Sequence, residues 1–245
     1  RFIAAMMVVF NHCISPCFKF IETDYLYFAR FLGLFSNGTF AVSIFFVLSG
    51  FLISYLLITE TEKYSKINFR NFYIRRALRI WPLYFAVLFF VCFVYPFLSR
   101  FIHLYSPPDL YIFYYLTFFS NLDILHNYAI EQSYLLITRV TWSISVEEQF
   151  YFLWPILFLS PRKFWIFIMS TIVVASIVFR LQNHQYPNVL SYHSLSVMMD
   201  FAVGGLLAFS IKEYERVRNF FENCTTKHHL FFISLAFMLL FCDTW

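Results

Sequence analysis

Charge is what this sequence has least of. Only 13% of its 245 residues are charged, against 60% hydrophobic and 24% aromatic. Soluble domains carry roughly a quarter of their residues as charges, so this chain cannot clothe a water-facing surface. Glycine is scarce as well, with five in the chain, and no run alternates apolar with polar residues. Those two lacks argue against a transmembrane β-barrel. A signal-peptide layout is missing, because Arg1 leads straight into apolar residues. The five cysteines stand singly except Cys13 and Cys17, one helical turn apart. That pair suits two buried thiols and, with no further ligands nearby, implies no metal.

What the chain has is apolar length. Mean hydropathy is +0.66, and its apolar stretches approach the ~20 residues, at ~1.5 Å each, that cross a bilayer. The expectation is an all-α polytopic integral membrane protein, a helical bundle with about seven or eight apolar segments. These are residues 2–18, 39–58, 77–99, 110–122, 141–159, 164–180, 195–211 and 230–245. Pro82 should kink the third or mark its true N-terminus. No internal repeat or low-complexity linker appears, and both ends look cut. Residues 1–245 therefore read as a single transmembrane domain, truncated at both ends.

The net charge of +4 sits mostly in short loops between apolar stretches, which makes it a topology signal and not a nucleic-acid one. The segment 110–122 decides how those loops fall. If it crosses, the basic residues split evenly between the two sides. If it lies at the interface or re-enters, Arg162, Lys163, Lys212, Arg216, Arg218 and Lys227 join Lys63 to Arg76 inside. The positive-inside rule and the thirteen-residue length favour the second arrangement.

Ionisable residues inside apolar segments cost a few kcal/mol each, so each is a functional candidate. Arg1 and His12 are eleven residues apart, about three helical turns, and share a face. His12 then lies ~16 Å deeper than Arg1. A histidine hydrogen-bonded to a neighbouring helix is the structural alternative. Glu147 and Glu148 fall about two turns into an apolar segment, in Trp142-Ser143-Ile-Ser-Val-Glu147-Glu148-Gln149-Phe-Tyr151. Adjacent residues point ~100° apart, so the two cannot serve one partner; one suits acid–base work, the other an ion pair. Both could instead merely tie helices together. Arg75, Arg76 and Arg79 cluster at a helix start, where Arg79 shares a face with the other two and phosphate binding competes with a purely topological role. His193 and Asp200, seven apart, share a face if their helix starts early enough. Asp200 precedes Gly204-Gly205, where helices can approach closely.

Four stretches in this order resemble the acyltransferase-3 family of membrane-bound O-acyltransferases. Arg1 to His12 is similar to that family's R-x10-H signature. Phe45-Phe46-Val-Leu-Ser49-Gly50-Phe-Leu-Ile resembles its FFVLSGFLI run, Arg76-Ala-Leu-Arg79-Ile-Trp-Pro82 its RxxR stretch, and Trp142 to Tyr151 its WSLSVEEQFY motif. The chain departs from the pattern at Ala41, Ser43 and Met198, where members often carry Gly, Asp and Arg.

The resemblance implies transfer of an acyl group, often acetyl, from cytoplasmic acyl-CoA to a hydroxyl of a cell-envelope carbohydrate or lipid-linked glycan. Acyl-CoA is then a co-substrate, with no bound cofactor and no metal, and the protein is multi-pass in the plasma (bacterial inner) membrane. On this reading His12 is general base or acyl carrier, with Glu147 and Glu148 as catalytic carboxylates. Arg1, Arg76 and Arg79 bind the donor, and Ser143, His193 and Asp200 give support. The competing class is a transporter or flippase for an anionic substrate, using a buried Arg/His/Glu relay. Inverted repeats, which would favour it, are not visible in the sequence.

Overall fold

The computed structural model describes residues 2–9, 38–102, 111–126, 141–228, 231 and 234. Regular structure among them is helical throughout: α1 (Phe2–Val9), α2 (Gly38–Tyr64), α3 (Phe69–Phe89), α4 (Tyr95–Ile102), α5 (Ile112–Leu116), α6 (Ser120–His126), α7 (Thr141–Leu157), α8 (Trp165–Gln182), α9 (Pro187–Tyr192), α10 (Ser194–Glu213) and α11 (Glu215–Glu222). Among the described residues, four helical stretches are long and apolar enough to cross a membrane: Gly38–Tyr64, Phe69–Leu98, Arg162–Gln182 and Ser194–Glu213. At 17 residues, α7 is shorter than these.

The third apolar segment begins well before residue 77. Asn68 caps α3 by accepting from the Asn71 N–H at 3.0 Å, so the helix starts at Phe69 and Pro82 lies in its interior. A π-turn over Phe90–Val94 joins α3 to α4, and Tyr95 N–H reaches back to the Phe90 carbonyl. This wide turn stands just ahead of Pro96, whose ring would crowd the carbonyl four residues back in an ordinary α-turn.

Two compact units divide the chain. One comprises Arg1–Tyr55 and Gly204–Trp245. Within it α1 packs Met7 and Val8 on Phe40 and Ala41 of α2. Gly204 of α10 meets α2 backbone directly: a Cβ there would stand 2.0 Å from the Val47 carbonyl oxygen and 2.7 Å from the Phe51 nitrogen. The close approach expected at Gly204-Gly205 is present, and it is of backbone on backbone.

The other unit is Leu56–Val203. Its core is aromatic: Phe150 stacks on Phe201 with ring centroids 4.0 Å apart, and Trp154 and Phe158 continue the row towards Trp165. The 110–122 run does not become one helix of spanning length. It breaks into α5 and α6 at Phe118, whose φ of 58° is left-handed. Phe119 N–H reaches the Tyr114 carbonyl at 2.7 Å and Phe118 N–H the Tyr115 carbonyl at 3.4 Å. That is the Schellman closure of a helix, with phenylalanine where glycine is usual. Arg162 pairs with Glu62 at 3.0 Å, so the loop after α7 and the loop after α2 lie at the same end of this unit.

Candidate active site

Residues 142–151 form the first turns of α7, and their ~100° spacing sends successive side chains to different neighbours. Trp142 meets Tyr192 edge-on at 5.1 Å. Ser145 shares a hydrogen bond with Ser120 at 2.7 Å, and Thr141 donates to Ser120 at 3.2 Å. One turn on, the Gln149 amide donates to the Phe118 carbonyl at 2.8 Å and to Asn121 Oδ1 at 3.0 Å, while accepting from Ser194 Oγ at 2.5 Å. Asn121 in turn donates to Ser194 Oγ and to the Tyr192 carbonyl, both at 3.1 Å. This network explains how the polar start of α6 lies buried in an apolar unit. Backbone groups freed where the chain turns between α5 and α6 are met by side chains of α7.

The carboxylates part company, as adjacent helical positions must. Glu147 receives the Tyr151 hydroxyl one turn along the same helix. Glu148 points to α3, where Trp81 Nε1 donates to its Oε2 at 3.1 Å. Its partner there is neutral indole and not a base. The other oxygen, Oε1, is buried and makes no hydrogen bond among the described residues.

Arg76 of α3 is held by rings. Its guanidinium carbon lies 3.9 Å from the Phe72 ring centroid and 5.7 Å from that of Tyr151. One terminal nitrogen reaches the Phe72 carbonyl at a long 3.4 Å, and Nε is buried without a partner among the described residues. Two cavities meet this side chain. The larger, about 910 Å³, lies at the α2–α3 turn, where Glu60, Lys63, Lys66, Asn71 and Arg75 stand at the edge of a mostly apolar wall that includes Leu56, Leu57, Ile67 and Phe72. The smaller, about 430 Å³, is lined by α3 and α7, with Ile74, Trp81, Glu148, Tyr151 and Phe152 around it. Among the described residues, Arg76 alone lines both.

The other candidates scatter. Arg79 is exposed and lines neither cavity. Ser143 and Asp200 are half-buried and line neither. His193 does not continue the helix of Asp200: with ψ of 129° it is extended, and its Nδ1 accepts from Leu195 N–H at 3.2 Å, capping α10. Its ring stacks on Phe179 at 4.6 Å, and burial lowers its pKa below the usual imidazole range. Arg1 and His12 lie outside the described residues. Trp81, Tyr151 and Gln149 emerge as site residues that charge-based reading passed over. Only Tyr151 carried a positional signal, four residues from Glu147 and three from Glu148; Gln149 and Trp81 have no charged residue at a helical interval.

A sequence profile described as "Acyltransferase domain", that of the acyltransferase-3 family, matches residues 1–244. The chain belongs to the acyltransferase-3 family. Curated relatives of this chain include the O-acetyltransferase OatA of Staphylococcus aureus, 35% identical over 157 residues that make up 58% of this chain and 24% of that protein. The peptidoglycan O-acetyltransferase OatA of Listeria monocytogenes is 33% identical over 125 residues, 49% of this chain and 19% of its own length. The putative peptidoglycan O-acetyltransferase YrhL of Bacillus subtilis is 30% identical over 126 residues, with the same coverage. The chain thus spans about a quarter or less of the curated relatives it matches. No solved structure matches it.

Proposed function

We propose that this acyltransferase moves an acyl group, most simply acetyl, from cytoplasmic acyl-CoA to a hydroxyl of a cell-envelope polysaccharide such as peptidoglycan. It does so as a multi-pass protein of the bacterial plasma membrane. The observation that carries the donor half is the larger cavity. Lys63, Lys66, Arg75 and Arg76 converge on a space of about 910 Å³, large enough for a nucleotide-bearing ligand. Charge-assisted contacts to phosphate are what such a cluster does best. The acceptor half rests on family membership and on the names of relatives that acetylate peptidoglycan.

His12 takes the acceptor hydroxyl proton, or first accepts the acyl group itself. Glu147 is the carboxylate that orients or protonates, through its contact with the Tyr151 hydroxyl. Arg1, about three helical turns from His12 and on the same face, binds the donor. Arg76, and more remotely Arg79, binds the donor from α3.

The deciding experiment offers acetyl-CoA and peptidoglycan fragments to the purified full-length protein and follows free CoA and acetylated glycan. Acyl transfer is expected, with His12→Gln lowering turnover by ~10²–10⁴ at equal membrane abundance. Donor affinity should fall more in Arg76→Gln than in Arg79→Gln, since Arg76 lines the cavity and Arg79 does not. No CoA release from wild type with any envelope glycan would overturn the reading.

A further inference from the structure

The helix α10 is apolar, long enough to cross a membrane, and ends at Glu213. Its end is held against α2, where the Lys212 ammonium lies 4.4 Å from the centroid of the Tyr55 ring. Tyr214 is then extended, with φ of −108° and ψ of 111°, and α11 starts afresh at Glu215. The chain thus breaks from α10 where the apolar stretch runs out.

One face of α11 is apolar and the other charged. At ~100° per residue, Val217, Phe220 and Phe221 fall within about 100° of arc. Glu215, Arg216, Arg218, Asn219 and Glu222 occupy the remainder. No residue of α11 is buried: Phe220 is 51% exposed and Phe221 45%, their rings meeting edge to face at 5.4 Å. Little within the helix stabilises it. Eight residues are too few to hold a helix alone in water, and no side chain caps this one. The ion pair of Arg218 with Glu215, at 4.0 Å, is exposed and contributes little. An apolar surface for Phe220 and Phe221 to enter is what α11 needs, and the bilayer around α10 provides one beside it.

The charges decide how it is held there. Lys212, Arg216, Arg218 and Lys227 are nearly balanced by Glu213, Glu215 and Glu222. Attraction to anionic headgroups is therefore weak, and burial of the apolar stripe carries the contact.

We propose that α11 lies in the membrane interface at the end of α10. Its Val217–Phe220–Phe221 stripe enters the boundary of headgroups and acyl chains by about 5–10 Å, and its charged face meets water. The partner is the bilayer as such and not a particular lipid. Anchored in this way, α11 fixes the depth at which α10 ends, as interfacial aromatic residues do for spanning helices. Nothing in this depends on which acyl donor the protein uses.

Spin-label accessibility tests the placement. The full-length protein, its native cysteines replaced by alanine, carries single labels through Val217→Cys, Phe221→Cys, Asn219→Cys or Glu222→Cys in phosphatidylcholine nanodiscs. Labels at 217 and 221 should be relaxed severalfold more by oxygen than by a water-soluble nickel chelate, and labels at 219 and 222 the reverse. The pattern should survive added phosphatidylglycerol, and also Arg216→Gln with Arg218→Gln. A second reading leaves the cysteines in place: a photoreactive benzoylphenylalanine put at Phe221 should crosslink to lipid, and one at Asn219 should not. Labels at 217 and 221 shielded from both agents, or a crosslink from 221 to protein, would seat the stripe on a second copy or another segment and overturn the proposal. Free access of nickel to every labelled position overturns it too, as does a pattern that forms only with phosphatidylglycerol.

Discussion

A single ring nitrogen ties α10 to its starting point. His193 Nδ1 can accept from Leu195 N–H only while unprotonated, so the proton of the neutral ring belongs on Nε2. Burial disfavours the charged form, and the folded-state pKa lies below the ordinary 6.5. Above 6.5 the ring is neutral in both folded and unfolded chain, and the full contribution of the cap is present. As pH falls through 6.5 towards the lower folded value, the unfolded chain takes up protons first and stability is lost. Melting temperature measured from pH 7.5 to pH 5 should therefore drop in wild type by more than in His193→Asn, which caps without titrating. Equal pH dependence in the two would detach the cap from the titration. The sequence put His193 on the face of Asp200 only if the helix began early enough, and it begins at Ser194. A histidine seven positions before an aspartate resembles a shared face, and only the helix start at Ser194 shows it to be a cap.

Among the elements, the break between α5 and α6 is where sequence reading stopped short. Its length marked 110–122 as too short to cross, yet nothing there announces a turn, since the left-handed position holds Phe118 and not glycine. A left-handed backbone costs a non-glycine residue about 1–2 kcal/mol. The side chain offsets this. The Phe118 ring lies 4.8 Å from that of Tyr84 and 5.7 Å from Trp81, and its carbonyl receives Gln149. Losing a core phenylalanine typically costs about 3–5 kcal/mol, and less for a half-buried one. Phe118→Gly should thus be net destabilising, by about 1–2 kcal/mol in reversible unfolding in detergent, although it relieves the backbone. A neutral or stabilising result would mean that strain outweighs packing. The start of α3 was not legible from hydropathy: Asn68 caps a helix that begins at Phe69, and hydropathy alone leaves its first turns, with Arg70, Asn71, Arg75 and Arg76, in the loop.

For the whole molecule, helical class and membrane character follow from composition, because so little charge leaves no other way to satisfy backbone groups. Sidedness needed contacts between distant residues. The Arg162–Glu62 pair places two basic loops at one end of their unit, and the charge rule predicts a cytoplasmic position for that end. Single cysteines replacing Lys66 and Lys163 should react alike with an impermeant thiol reagent, from the inner face only. Reaction from opposite faces would restore 110–122 as a crossing. The candidate site was half legible: the basic cluster was visible as a cluster, but the second cavity beside Arg76 depends on α7 packing against α3. In the other unit, the meeting of Gly204 with the Val47 carbonyl and the Phe51 nitrogen restricts how the chain can vary. Those atoms are present whatever side chains stand at 47 and 51. Position 204 should therefore tolerate no residue but glycine, while 47 and 51 accept a range of apolar residues. A saturation scan scored by membrane abundance would read as one closed column beside two open ones, a lock whose keyhole lies wholly on one helix.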